Sequence, residues 1–178
     1  SGPVTYTVTY AGADTVTFTD ANVTLNKMGT AQGSVVVSGT GNTTRMVTIS
    51  GITGDGTLGI SIAGGTASDS AGNLASAVGP SAIFTVDNTV PVVSAGGNQT
   101  TGIAFTQTGT VTDTNAMTYS WTKQSGPGTV TFGSPNAIST AISASSNGTY
   151  TIRFTVTDAA GNSSYSDLTL TWDITAPS

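Results

Sequence analysis

Apolar residues step by two along most of this chain, the period of a strand with one face buried. Val4, Tyr6, Val8 and Tyr10 alternate with Thr5, Thr7 and Thr9. Further strands are predicted at Val16–Phe18, at Val23–Leu25, around Val35–Val37 and at Met46–Ile49. Leu58, Ile60 and Ile62 then alternate with Gly59 and Ser61, and Ile83–Val86 follows. Gly39-Thr40-Gly41-Asn42 and Gly54-Asp55-Gly56 have the chemistry of hairpin turns. The second half repeats the pattern at Ile103–Val111, at Met117, Tyr119 and Trp121, at Val130 and Phe132, and at Ile138 and Ile142. Tyr150, Ile152, Phe154 and Val156 make the strongest alternation, and Leu168, Leu170 and Trp172 end it. No window carries a helical period. The expected class is all-β.

A repeated segment organises these strands. Asp87-Asn88-Thr89-Val90-Pro91 and Asp173-Ile174-Thr175-Ala176-Pro177 both read Asp-x-Thr-x-Pro, and each follows an alternating apolar run. The copies lie about one small β domain apart. Proline fixes φ and biases the preceding residue toward extended backbone, so each copy reads as a short, stiff connector. The expected architecture is two tandem Ig-like β-sandwiches, 1–88 and 89–178, joined end to end. Pro91–Ala95 supplies a leading strand to the second module, whereas only Ser1-Gly2-Pro3 precede the first strand of the first. Its leading strand is therefore expected to be cut away or supplied by a neighbouring molecule, leaving an open edge. Because the second connector leads nowhere, both ends read as boundaries of a piece of a longer array.

Composition narrows function more than fold. The 178 residues are only 7% charged, with four Lys and Arg against nine acidic residues, all of them Asp, and neither His nor Cys. A Ser-His-Asp triad, a cysteine nucleophile and a zinc site of the usual ligands are excluded, and no enzyme is expected. A net charge of −5 leaves no positive patch for nucleic acid. No apolar run approaches the roughly 18–20 residues of a membrane span, so no membrane insertion is expected. Lys27 and Lys123 are expected to snorkel at the surface rather than to join an isopeptide crosslink.

The remaining chemistry is acidic. Asp-x-Ala-Gly-Asn occurs at Asp69–Asn73 and at Asp158–Asn162. In a sandwich of alternating strands, the turn at Asp158 and Asn162 shares a pole with the turn at Asp113 and Asn115 and with the entering connector at Asp87 and Asn88. Asp55 would face this group from the first module. Gathered carboxylates repel unless a cation offsets them, and Ca2+ takes 6–8 oxygens of these kinds. One reading is a calcium clamp at the joint. The other is that each Asp caps its own turn, with glycine at positive φ. The equivalent cluster in the first module (Asp14, Asp69, Asn73) lacks an entering connector and is expected to be weak or empty.

Trp121 falls on the third strand of its module, and Asn147-Gly148-Thr149-Tyr150 opens the sixth in the manner of a tyrosine corner, so both are expected in the core. With Tyr119-Ser120-Trp121-Thr122, Ser125-Gly126-Pro127-Gly128, Gly148-Thr149-Tyr150 and Val156-Thr157-Asp158-Ala159-Ala160-Gly161-Asn162, the second half resembles PKD-type and related bacterial Ig-like repeats. The first half resembles other bacterial Ig-like repeats through Val47–Ile49, Gly54-Asp55-Gly56-Thr57 and Asp69-Ser70-Ala71-Gly72-Asn73. The resemblance implies long arrays on secreted or surface-anchored bacterial proteins, often adhesins, sometimes with calcium between domains. The expected function is a stalk or spacer at the cell surface whose partners are neighbouring repeats. Two alternatives are a module binding carbohydrate or a protein partner, and a fibre subunit assembling through the open edge. Exposed aromatics would be needed for carbohydrate. Tyr6, Tyr10 and Tyr165 are the candidates, although Tyr6 and Tyr10 share the side of Val4 and Val8.

Overall fold

The computed structural model describes residues 2–115 and 117–176; Ser1 and Pro177, each part of a terminal segment discussed above, lie outside them. The chain divides into two compact units, Ser1–Thr89 and Val90–Ser178, each with its own core.

In the first unit, β1 (Val4–Thr9) pairs antiparallel with β5 (Thr44–Thr53), whose other edge carries β4 (Gln32–Ser38). A second sheet places β6 (Gly56–Ile62) between β3 (Val23–Gly29) and β8 (Phe84–Val86). A short ribbon joins β2 (Thr15–Val16) to β7 (Ala67–Ser68). Val47 and Ile49 from one sheet and Leu58 and Ile60 from the other fill the space between, along with Phe18, which is buried although it lies outside a strand. The side chains that alternate on β1 are only half buried, because β1 is an edge strand.

The second unit repeats this layout and adds to it. Its first sheet orders β11 (Phe105–Thr108), β15 (Ser139–Ala144) and β14 (Val130–Phe132). Its second orders β13 (Met117–Ser125), β16 (Gly148–Asp158) and β17 (Ser163–Trp172). Two further strands have no counterpart in the first unit: β9 (Val92–Ser94) pairs antiparallel with β12 (Thr110–Thr112), and β10 (Gln99–Thr101) pairs parallel with β17.

Trp121, Tyr150 and Phe154 are nearly or fully buried, and the Trp121 and Phe154 rings stack at 4.4 Å between centroids. The Tyr150 hydroxyl donates to the Ser146 carbonyl at 2.6 Å, so the expected tyrosine corner is formed. The strand expected from Ile103 begins instead at Phe105 and breaks at Gly109, where any side chain would run into the Phe154 ring. Ile103 is left exposed, and Ile138 lies just outside β15 rather than on the face of Ile142. β10 was not foreseen, since Gln99-Thr100-Thr101 has no apolar residue to mark it.

Candidate functional site

Each unit binds its own departing connector to the turn between its fifth and sixth main strands. In the first unit that turn is Gly54-Asp55, which carries the chain from β5 in one sheet to β6 in the other and so is not the hairpin its sequence suggests. Asp55 Oδ1 accepts from the Asn88 backbone N–H at 2.7 Å, and Asp55 Oδ2 accepts from the Thr89 hydroxyl at 2.6 Å. The Asn88 side chain donates to the Gly54 carbonyl at 2.7 Å. Asp87 Oδ1 accepts from the Thr89 N–H at 3.1 Å, the turn that Asp-x-Thr encodes.

The second unit builds the same latch with a different residue. Asn147, between β15 and β16, accepts from the Ile174 N–H at 2.9 Å and donates to the Thr175 hydroxyl at 2.6 Å and to Asp173 Oδ1 at 3.0 Å. Asp173 Oδ1 also accepts from the Thr175 N–H at 2.8 Å. The repeat Asp-x-Thr is thus an Asx turn whose Thr hydroxyl meets an amide or carboxylate presented by an x-Gly turn. Gly56 and Gly148 follow these residues at φ of 137° and 147°, where a side chain would be strained.

The Asp-x-Ala-Gly-Asn turns are near copies of each other. Asp69 Oδ1 accepts from the N–H groups of Ala71 and Asn73, both at 2.9 Å, and Oδ2 from the Asn73 side chain at 2.8 Å. Asp158 does the same with Ala160 at 2.8 Å and with Asn162 at 2.9 Å twice. Gly72 and Gly161 take positive φ, as a left-handed turn position requires.

These bonds hold the acids below their ordinary value of 3.8. The Thr89 hydroxyl is the main cause at Asp55, and the Asn73 side chain at Asp69. At Asp173 the Thr175 backbone leads. At Asp158 partial desolvation is the largest influence and acts upward, but the Asn162, Ala160 and Gly161 donors together outweigh it.

The structure brings some predicted ligands together. Met117 pairs with Asp158 and Thr112 with Val92, so Asp113, Asn115, Asp158 and Asn162 share the pole of the second unit at which β9 begins. Asp113 Oδ1 accepts from the Asn115 N–H at 2.9 Å. Asp55, Asp87 and Asn88 belong to the exit pole of the first unit. Among the described residues of each unit, no three carboxylates converge as ion ligands. Asp113 and Asp158, the latter already accepting from three donors, fall short of the 6–8 oxygens of a calcium shell.

Two polar residues were not singled out by the sequence. Asn147 is the counterpart of Asp55, and the shared signal is Asp-Gly or Asn-Gly opening the sixth main strand. Gln107 is buried in the second unit, donating to the Ala95 carbonyl at 2.6 Å and accepting from Gln99 at 3.4 Å. It ties down the chain where that chain crosses from β9 to β10. A lone Gln in a strand gives no such warning.

The family described as K319L-like, PKD domain matches residues 95–171, which run from the buried Ala95 through β17. The second unit is a PKD-type Ig-like domain. Among solved structures, the PKD domain of the KIAA 1837 protein is 22% identical, with 52% of this chain and 98% of that chain covered and a TM-score of 0.42. The PKD domain of human KIAA0319 is 19% identical, covering 49% of this chain and 87% of that chain at 0.38. Protocadherin Gamma B2 extracellular cadherin domains 3-6 are 9% identical, covering 96% of this chain but 50% of that chain at 0.37. No curated protein sequence matches the chain. PKD and Ig-like domains are typical of extracellular adhesion or spacer modules and are generally non-enzymatic. No helix among the described residues is long and apolar enough to cross a membrane.

Proposed function

We propose that the chain is a pair of spacer repeats from a secreted or surface-anchored bacterial adhesin-like protein, which hold a distal domain away from the surface. The observation that carries this reading is the latch. Both units tie the start of the departing connector to their own exit turn, through Asp55 in one and Asn147 in the other. A spacer needs joints that resist bending, and a Pro-containing connector with its first residues bonded to the turn that links the two sheets of its own unit meets that need. Spin labels on β4 and β14 should give a narrow interlabel distance distribution, and Asp55→Ala should broaden it. An already broad distribution in the unaltered protein would overturn the reading.

Calcium belongs to the same proposal as an added stiffener at the pole of Asp113 and Asp158. Among the described residues the ion pair formed is Arg153 with Asp167 at 2.8 Å, so basic side chains do not neutralise that pole. Millimolar calcium should raise the melting temperature; no shift removes the ion and leaves the latch. The alternative of a carbohydrate-binding module has less support. Tyr165 is exposed, but the Arg153 guanidinium covers its ring at 3.5 Å, and the hydroxyls of Tyr6 and Tyr10 bond to Ala82 and Thr66.

A further inference from the structure

A backbone demand fixes the chemistry of the second latch. Gly148 sits at a φ of 147°, where any Cβ would run into the Pro127 ring, so glycine must follow Asn147. The result is the single Asn-Gly step in the sequence, and Asn147 is exposed to water. A glycine nitrogen is the least hindered backbone nucleophile that an asparagine side chain can meet. Here the Asn147 carboxamide is pinned at both ends. Its Oδ1 accepts from the Ile174 N–H, and its Nδ2 donates to the Thr175 hydroxyl and to Asp173 Oδ1.

We propose that Asn147-Gly148 is a site of spontaneous deamidation whose rate is set by opening of the latch. The Gly148 nitrogen gives its proton to solvent base and bonds to Asn147 Cγ. The Cγ–Nδ2 bond breaks, and Nδ2 leaves as ammonia. Water then opens the cyclic imide at one of its two carbonyls, yielding aspartate or isoaspartate with no other reactant. Turning the carboxamide onto the Gly148 nitrogen gives up its bonds to the connector, so the closed latch withholds the reaction. The two products part ways. Aspartate supplies the pair of acceptors with which Asp55 holds Asn88 and Thr89, so the latch closes again in the form the first unit uses. Isoaspartate moves one carbon from the side chain into the backbone. Its shortened carboxylate cannot reach the connector while Gly148 keeps its place against Pro127, and the connector is released. This chemistry stands on the latch bonds alone, whether or not the chain serves as a spacer.

The test incubates the full chain at mildly alkaline pH and follows residue 147 by peptide mapping, beside a synthetic peptide with the sequence of Ser145–Thr151. Deamidation in the folded chain is expected to be at least about tenfold slower than in the peptide. Thr175→Ala, which removes one bond of the latch, should speed it at least about threefold, and Thr89→Ala in the other latch should leave it unchanged. Chain carrying isoaspartate should lose amide protection at Ile174 by hydrogen exchange, whereas Asn147→Asp should keep it. A folded chain that reacts as fast as the peptide, indifference to Thr175→Ala, or a response to Thr89→Ala would overturn the proposal. So would an isoaspartate chain still protected at Ile174, or loss of that protection in Asn147→Asp. Failure here leaves the spacer reading standing, since that is judged by the interlabel distances.

Discussion

The two units use the same sheets and finish them differently. The second is closed: eight of its side chains, including Trp121, Tyr150 and Phe154, are among the largest fully buried ones, and Gln107 pins the crossing segment over them. The first is open on one side. Its fully buried large side chains are aliphatic (Val47, Ile49, Leu58 and Val86), and Tyr6, Val8 and Tyr10 line a cleft instead of a sealed core. The second unit pairs β9 with β12 over three residues and adds β10 beside β17, whereas the first has only the two-residue pairing of β2 with β7 and, among its described residues, no strand on the outer edge of β8. A sandwich of this size is marginal in the apolar area it can bury, so each edge that is covered counts. The polar latches are shared, which indicates that joint and core are separable features of the design.

The comparison can be broken most directly at the aromatic centre. Phe154→Ala should destabilise the PKD-type unit by about 3–5 kcal/mol, through lost burial and the cavity left against Trp121 and Gly109. Calorimetry should show the transition of the first unit unmoved; a matching drop in both would mean that the cores are not independent. Gln107→Ala comes next, at about 1–3 kcal/mol, because the buried Ala95 carbonyl loses its donor. Hydrogen exchange should quicken through Val93–Gln99 and not along β16. Loss of protection throughout the unit would instead make Gln107 a general core residue.

A smaller difference separates the two tryptophans. Trp121 Nε1 donates to the Ala137 carbonyl at 3.0 Å, whereas buried Trp172 Nε1 has no partner among the described residues. Trp121→Phe should therefore cost about 1 kcal/mol more than Trp172→Phe in chemical denaturation. Equal costs would show that the bond to Ala137 contributes nothing.

The smallest effects belong to the latches and acidic turns. Asp55→Asn imitates Asn147 and should leave the connector protected, while Asp55→Ala should speed exchange at Asn88 by roughly tenfold through local opening. The folded values of Asp55, Asp69, Asp158 and Asp173 all lie below 3.8, so their contribution is present above that pH and lost as pH falls through the lowered values. Acid should loosen these turns in both units, and Asp55→Asn should remove the acid sensitivity of the first latch alone. A latch that opens between pH 5 and 7 would contradict that sign.

Much of this was legible in advance because strand period is local. Tyr150, Ile152, Phe154 and Val156 declare an inward face whatever surrounds them, and all four are buried. Asp-x-Thr and Asp-x-Ala-Gly-Asn likewise state their own turns, since donor and acceptor lie within four residues. What the tertiary structure decided is pairing across distance. Asp55 reaches Thr89 only because β6 and β8 are partners, and Asn147 reaches Thr175 only because Gly148 pairs with Trp172. Gln107 and the strand Gln99–Thr101 carry no apolar signature at all; they matter because two sheet edges face each other there. Periodicity is set by the covalent chain, but a buried amide or an uncovered edge has meaning only once the sheets have met.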